Sequence, residues 1–308
     1  MNYLEMFRCA IDASGMVAPD EIVGDGRLHR FSPTGKKRDD AGWYVLHLDK
    51  VPTGVFGNWR DGLQQRWCIK ADGELTPSER QALRERAAAS QRLRDQECQR
   101  RQVIAAKRSA DLWAAGVQPT SHPYLAAKRV SSYGLRVGSW EKFDAESGET
   151  ELLSNVLYVP MRDTAGALWS LQGITEQGRK LFLPGGRVKG CYHSIGRPSG
   201  KIVIAEGYAT AATIHSEAAH PVAVAFNAVN LLPVSQALRA KYPCLTIVLA
   251  ADDDWKTVGN PGVTYAMEAA RRIGGLLAKP NFDGLPRGQK DTDFNDLHRL
   301  AGTIEVSA

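Results

Sequence analysis

The apolar positions of this chain change rhythm twice. Residues 3–14 show helical spacing, and the short runs at 27–31, 43–48 and 54–59 that follow are separated by glycine, proline and charged turns. Alternation bounded by turn residues predicts strands, so the stretch to residue 75 reads as a small, mainly β domain with one helix. Thr76-Pro77-Ser78-Glu79 then joins a capping box to a proline at the first helical position. The Arg-, Ala-, Gln- and Glu-rich run up to Gly116 predicts one long exposed helix.

Beyond Pro123 strands and helices alternate. Runs 157–161, 167–174 and 180–183 predict consecutive strands, while 201–205, 222–226 and 245–250 are apolar on both faces, as strands of a parallel sheet covered by helices are. Segments 210–218, 233–240 and 264–274 have helical length and pattern. The second half is therefore expected to be a doubly wound α/β domain whose ligands gather at the carboxyl ends of its strands. The organisation expected is a small domain at 1–75, a charged helical linker at 76–116, an α+β subdomain at 117–196 and the doubly wound sheet at 197–308.

Composition narrows the class. With 308 residues, 43% hydrophobic and 24% charged, the chain is of ordinary globular make-up and long enough for two cores. Its net charge of +5 agrees with an anionic partner without demanding one. Arginines outnumber acids in the long helix (Arg80, Arg84, Arg86, Arg92, Arg94, Arg100, Arg101), which suits nucleic acid or, equally, a solvated helix face. The five cysteines stand singly, with no C-x-x-C pair, so neither a zinc ribbon nor a disulfide framework is expected. No apolar run approaches the roughly 18 residues that span a bilayer, and no basic segment followed by an apolar one opens the sequence. A cytoplasmic protein with no membrane partner is the expectation.

The chemistry gathers in carboxylates. The strand at 201–205 ends in Glu206-Gly207, the strand at 245–250 runs into Ala251-Asp252-Asp253-Asp254, and Lys290 is followed by Asp291-Thr292-Asp293-Phe294-Asn295-Asp296. On a doubly wound sheet these would meet at one edge. Crowded carboxylates raise one another's pKa unless cations neutralise them, so the three clusters are expected to form a hard-cation site filled by Mg²⁺ or Mn²⁺. Taken singly, Glu206 also fits an acid at a helix N-terminus, and Asp252 to Asp254 a solvated turn. The order is more specific than the parts: strand-Glu-Gly-helix, then a strand ending in Asp-x-Asp, then Lys-Asp-x-Asp.

That order resembles the TOPRIM domain of DnaG-type primases, topoisomerases and some nucleases, over roughly residues 120 to 302. Upstream, Val159-Pro160-Met161-Arg162-Asp163-Thr164-Ala165-Gly166, Lys180-Leu181-Phe182-Leu183 and Lys189-Gly190-Cys191-Tyr192 resemble primase segments. Ile204-Ala205-Glu206-Gly207-Tyr208, Ala225-Phe226-Asn227-Ala228-Val229-Asn230 and Asp293-Phe294-Asn295-Asp296 are similar to primases of conjugative plasmids, phages and integrated elements. The resemblance implies a primase-like subdomain before a TOPRIM sheet. It also implies metal-dependent, template-directed joining of nucleoside triphosphates on single-stranded DNA by a nucleotidyltransferase. Glu206, Asp252, Asp254, Asp291 and Asp293 would hold the metal, Glu206, Lys180 and Arg162 would be catalytic, and Arg162, Lys180, Lys189 and Asn227 would contact nucleotide or template; a surface cation without a ligand is the alternative for Arg162, Lys180 and Lys189, and a polar turn residue equally fits Asn227. The sequence lacks the N-terminal zinc ribbon of DnaG-type primases, and its segment between Asp254 and Gly262 is longer.

In the first domain Trp43, Tyr44, Trp59 and Trp67 interleave with Arg30, Lys36, Lys37, Arg38 and Arg60. Rings beside cations grip single strands, and rings alternating along strands also fill small cores; rings inward and basic loops outward is the division expected. A TOPRIM nuclease would use the same carboxylates to cleave, and an adaptor would bind DNA or a replication protein without catalysis. No G-x-x-x-x-G-K-[ST] is present, so any helicase partner is expected to be a separate protein.

Overall fold

The computed structural model describes residues 2–35, 41–49, 51–58, 63–70, 76–143 and 150–306. Two compact units divide the chain, one holding Met1–Asp95 and the other Gln96–Lys142 with Thr150–Ala308.

In the first unit, helix α1 (Tyr3–Ala13) starts where the Asn2 side chain accepts the Leu4 N–H, and it buries Phe7 and Ile11, one turn apart. Strands β1 (His29–Phe31), β2 (Gly42–His47), β3 (Thr53–Asn58) and β4 (Gln64–Cys68) form an antiparallel sheet in that order. Phe7 stands edge-on to Tyr44, Phe56 and Trp67, with centroids 5.8, 5.7 and 5.4 Å away. Such pairs add about 0.5–1.5 kcal/mol each beyond the area they bury. Trp43 and Tyr44 are buried, so these rings are core. Arg30 is exposed on β1. Lys36, Lys37, Arg38, Trp59 and Arg60 lie outside the described residues.

Helix α2 (Pro77–Ala115) starts at the predicted proline and runs from the first unit into the second, where Ala105 and Ser109 are buried. After the short helix α3 (Pro123–Lys128), strands β5 (Arg136–Phe143), β6 (Thr150–Arg162), β7 (Leu168–Ile174) and β8 (Lys180–Phe182) make a second four-stranded sheet. The third sheet uses β9 (His193–Ile195) and β10 (Lys201–Ala205), then β11 (Val222–Val224) after α4 (Tyr208–Ala218). It continues with β12 (Thr246–Ala250) after α5 (Leu231–Lys241) and β13 (Leu276–Ala278) after α6 (Pro261–Ile273); α7 (Phe294–Ala301) closes the fold.

Its strand order is β13-β12-β10-β11-β9, with four parallel strands and β9 antiparallel at the edge beside β11. The expected parallel sheet is present, and β9 adds an antiparallel strand at its edge. The sheet is doubly wound as predicted, and the pleat shows why. Val203, Ala205, Val248 and Ala250 face Tyr208, Ala211 and Ile214 of α4 and Phe294 of α7. Ile202, Ile204, Ile247 and Leu249 face Leu231 and Val234 of α5 and Ala266 and Ala269 of α6. The first of these cores also takes Leu157, Val159 and Ile174 from β6 and β7, so the antiparallel and parallel sheets share one core.

Buried polar groups fasten the pieces. The Tyr208 hydroxyl donates to Ser131 O and accepts the Tyr133 N–H, both at 2.7 Å. Asn230 is 4% exposed; its Oδ1 accepts the Gly190 N–H at 2.8 Å, and its Nδ2 donates to Ala225 O at 2.8 Å and Cys191 O at 3.0 Å. Among the described residues no helix is long and apolar enough to cross a membrane. Asn230→Ala strands three backbone groups without partners, and urea unfolding should register a loss of about 2–4 kcal/mol. A loss below about 0.5 kcal/mol would mean that the clamp is dispensable.

Candidate active site at the carboxyl ends of the central strands

Strands β10 and β12 are adjacent and parallel, with Ala205 paired to Ala250. From β10 the chain passes to β11 on one side and then to β12 on the other, so the connections reverse between β10 and β12. That is the switch point where open α/β sheets bind ligands. Both strands end at the same level, and Glu206 emerges beside Ala251 and Asp252.

Four carboxylates meet electrostatically at this edge. Burial raises the Glu206 pKa, and Asp254 and Asp293 raise it further, while Lys180 acts against them. Burial also lifts Asp252 well above the usual carboxylate range, with Asp293, Glu206 and Asp254 adding to the shift. The Asp252 residue is half-buried, yet its Oδ1 is closed to solvent and has no hydrogen-bond partner. Asp254 Oδ2 accepts the Gly262 N–H at 3.0 Å in the first turn of α6. Asp293 is the N-cap of α7: its Oδ1 accepts the Asp296 N–H at 2.9 Å, and its Oδ2 accepts the Thr210 hydroxyl at 2.8 Å.

Neighbouring acids have other work. Asp253, between the two site aspartates, accepts from Asn260 at 2.7 Å and pairs with Arg287 at 3.0 Å and Lys279 at 3.4 Å. Asp291 departs from the expectation that grouped it with the ligands. Its carboxylate pairs with Arg299 at 2.5 Å and accepts the Gly288 N–H at 2.7 Å, and it is absent from the charges that raise Glu206 and Asp252.

The candidate cations separate in the same way. Lys180, exposed on β8, is the cation whose charge reaches both Glu206 and Asp252. Its Nζ stands 3.7 Å from where a Cβ on Gly207 would be. Arg162 donates to Gly166 O at 2.9 Å within the β6–β7 turn and lies over the Trp113 ring, and it is not among the charges acting on the cluster. Lys189 is exposed on the loop that Asn230 clamps. Asn227 caps the 3₁₀ turn Ala228–Asn230 by accepting the Asn230 N–H at 2.9 Å.

Several contributors escape a sequence reading. Neither Thr210 nor Asn230 is given a role of its own by the sequence, and only the fold brings Thr210 to Asp293 and Asn230 to Cys191. The buried Phe226 has φ of 74°, a conformation rare for a bulky side chain, and its N–H donates to Glu206 O at 2.8 Å. This left-handed residue explains why β11 stops at Val224 although the apolar run continues to Phe226. A Cβ on Gly262 would collide with the carbonyl oxygen of Asp252 and stand 3.0 Å from Asp254 Oδ2, so glycine is what lets α6 start against the strand end.

Chemically, Glu206, Asp252, Asp254 and Asp293 could hold a hard divalent cation. The donor set is all oxygen, burial and the neighbouring carboxylates raise the pKa of Glu206 and Asp252, and Asp252 Oδ1 is a buried acceptor without a hydrogen-bond partner. Among the described residues no three His, Cys, Asp or Glu side chains converge as an ion cage.

Residues 201–303 match the family described as the Toprim domain, and the sheet, its switch point and its carboxylates all fall within or beside that range. The chain is 36% identical over 292 residues to DNA primase TraC of Escherichia coli, covering 91% of this chain and 26% of that protein. A second Escherichia coli DNA primase TraC is 34% identical over 276 residues, covering 85% and 18%. The chain thus spans about a quarter or less of the length of these relatives. Among solved structures, the DnaG primase catalytic domain bound to ssDNA superposes with a TM-score of 0.45 at 13% identity, over 65% of this chain and 75% of that one.

Two outcomes test the geometry. Gly262→Ala should destabilise the protein by about 2–4 kcal/mol, because backbone rather than a flexible side chain blocks the added methyl; unchanged urea unfolding would contradict the close approach. For the chelator-treated protein, Glu206 and Asp252 have folded-state pKa values above their unfolded values of about 4. Their contribution to stability is complete below that pH and is lost as pH rises through the raised folded values. Asp252→Asn should therefore gain stability relative to wild type as pH climbs from about 4 to 8. A wild-type protein that stays the more stable at pH 8 without metal would show that the repulsion is absent.

Proposed function

We propose that this chain is the catalytic portion of a DNA primase, a nucleotidyltransferase that builds short primers on single-stranded DNA, of the kind carried by plasmids and related mobile elements. The observation that carries the proposal is the carboxylate cluster at the switch point of a Toprim sheet, with Lys180 as the cation acting on it. Similarity to DNA primase TraC over 91% of the chain supports it.

In this reading the 3′ hydroxyl of one nucleotide attacks the α-phosphorus of the next, a P–O bond forms, the α–β bridging bond breaks and pyrophosphate leaves. Glu206, Asp252, Asp254 and Asp293 would hold Mg²⁺ or Mn²⁺, which when bound supplies positive charge against the phosphate oxygens. Lys180 reaches the same edge from the antiparallel sheet and can hold a phosphate oxygen as charge builds on it. Glu206, at the strand end beside the aspartates, serves either as a metal ligand with them or as the group that takes the hydroxyl proton. Thr210 fixes the Asp293 carboxylate, and the Gly262 N–H fixes that of Asp254, so both are oriented before substrate arrives. Lys189, Arg162 and Asn227 belong to the proposal as contacts to nucleotide or template. Arg30, Lys36, Lys37, Arg38 and Arg60 belong to it as contacts of residues 1–75 with the single strand.

Purified protein incubated with single-stranded DNA, labelled nucleoside triphosphates and Mg²⁺ or Mn²⁺ should yield short new products; loss of template without synthesis would favour a nuclease. Asp252→Ala and Asp254→Ala should each reduce synthesis by about a hundredfold or more while the fold survives, and Lys180→Ala by at least about tenfold. Full activity of either aspartate variant in Mg²⁺ would remove the metal-site reading.

A further inference from the structure

The segment between Asp254 and the start of α6 carries an aromatic ring that neither core nor catalysis accounts for. Trp255 directly follows a site carboxylate and is 42% exposed. Its N–H donates to Asp253 O at 2.7 Å, which ties the backbone at this point to the aspartate run. The ring is backed by the Arg287 guanidinium, 4.8 Å from its centroid.

That backing is rigid. Arg287 Nη1 donates to Asp253 Oδ2 at 3.0 Å, Nη2 to Asp253 O at 2.9 Å and Nε to Asp291 O at 2.9 Å. The same guanidinium lies 4.2 Å from the Phe282 ring centroid, so phenyl, guanidinium and indole are layered. Lys256, exposed on the same loop, places its ammonium 4.2 Å from the Trp255 centroid. A flexible lysine is readily displaced by a flat π surface, and once displaced it is placed to meet a phosphate.

We propose that Trp255 is a stacking platform for a nucleobase whose phosphates lie at the neighbouring carboxylates, belonging either to the incoming nucleotide or to the bound strand. Each base stacked on an aromatic ring strengthens binding without reading sequence, as a primer-making site that must accept every base requires. Arg287, fixed by Asp253, is the positioning residue that holds the ring at its angle. This also gives the middle aspartate of the run a purpose distinct from that of its neighbours. The inference rests on the primase reading for the location of the phosphates alone.

The test is equilibrium binding to the full chain, with Ca²⁺ in place of Mg²⁺, of three probes: GTP, inorganic tripolyphosphate and a short oligodeoxythymidine. Trp255→Ala should weaken GTP or the oligonucleotide by about tenfold and change tripolyphosphate by less than about twofold. Trp255→Leu, which keeps apolar bulk without a π face, should behave like Trp255→Ala, and Trp255→Phe should recover most of the affinity. Loss confined to GTP places the base on the incoming nucleotide, and loss on the oligonucleotide places it on the strand. Unchanged affinity for both, an equal loss for tripolyphosphate, full affinity in Trp255→Leu, or a wild-type protein that binds neither nucleotide would overturn the proposal. If GTP is held through Trp255 and yet no primer is made, the primase reading fails and the platform stands.

Discussion

Everything at the functional edge depends on one electrostatic constraint: two adjacent parallel strands deliver carboxylates to the same level of the sheet. Glu206 and Asp252 cannot move apart without breaking the pairing of Ala205 with Ala250, which lies in the buried centre of the fold. The surrounding structure manages the crowding by assigning each remaining acid a different partner. Asp253 is neutralised by Arg287 and Lys279, Asp291 by Arg299, and Asp293 satisfies the N-terminus of α7. Opposite charges and hydrogen bonds hold the Asp253 and Asp291 carboxyls below the usual range, so they stay ionised, while Glu206 and Asp252 are left raised.

The same physics explains how far the sequence could be read. Strand 201–205 was legible to the residue, because a run apolar on both faces and ending in Glu-Gly has few other readings; 245–250 was legible to within one. β4 was not, since Gln64, Gln65 and Arg66 are exposed and show no alternation. β9 and β13 are three-residue strands at the sheet edges, held by tertiary pairing rather than by any local pattern. Among the site residues, the acids were visible as a class. Their division into Asp252 and Asp254 against Asp253 and Asp291 was not, because it is decided by Lys279 and Arg287 on the loop after β13 and by Arg299 on α7. The paired cations, not the acids themselves, carry that information.

The antiparallel sheet is tied to the parallel sheet by a core that the two share. Leu157, Val159 and Ile174 pack in one cluster with Val203, Val248 and Ala250, so β8 and Lys180 are delivered to the carboxylate edge by a continuous apolar interior. Asn230 adds a polar fastening between the loop of Lys189 to Cys191 and the end of β11. Cationic and anionic halves of the site thus come from different sheets whose relative position is fixed by burial.

Tyr208 carries this connection to a remote part of the chain. It opens α4 two residues after Glu206, and its single hydroxyl both donates to Ser131 and accepts from Tyr133, across a separation of more than seventy positions. His193, held against Tyr133 O at 2.8 Å and pushed down to about 4 by its burial, stays neutral and keeps the far side of that segment in place. Any ligand that draws Glu206 toward Asp252 therefore pulls on a helix whose first turn is tied to the segment before β5. The amide proton of Tyr133 has its acceptor on the first residue of α4, so the rate at which it exchanges with solvent reports whether that helix start stays docked against the segment before β5.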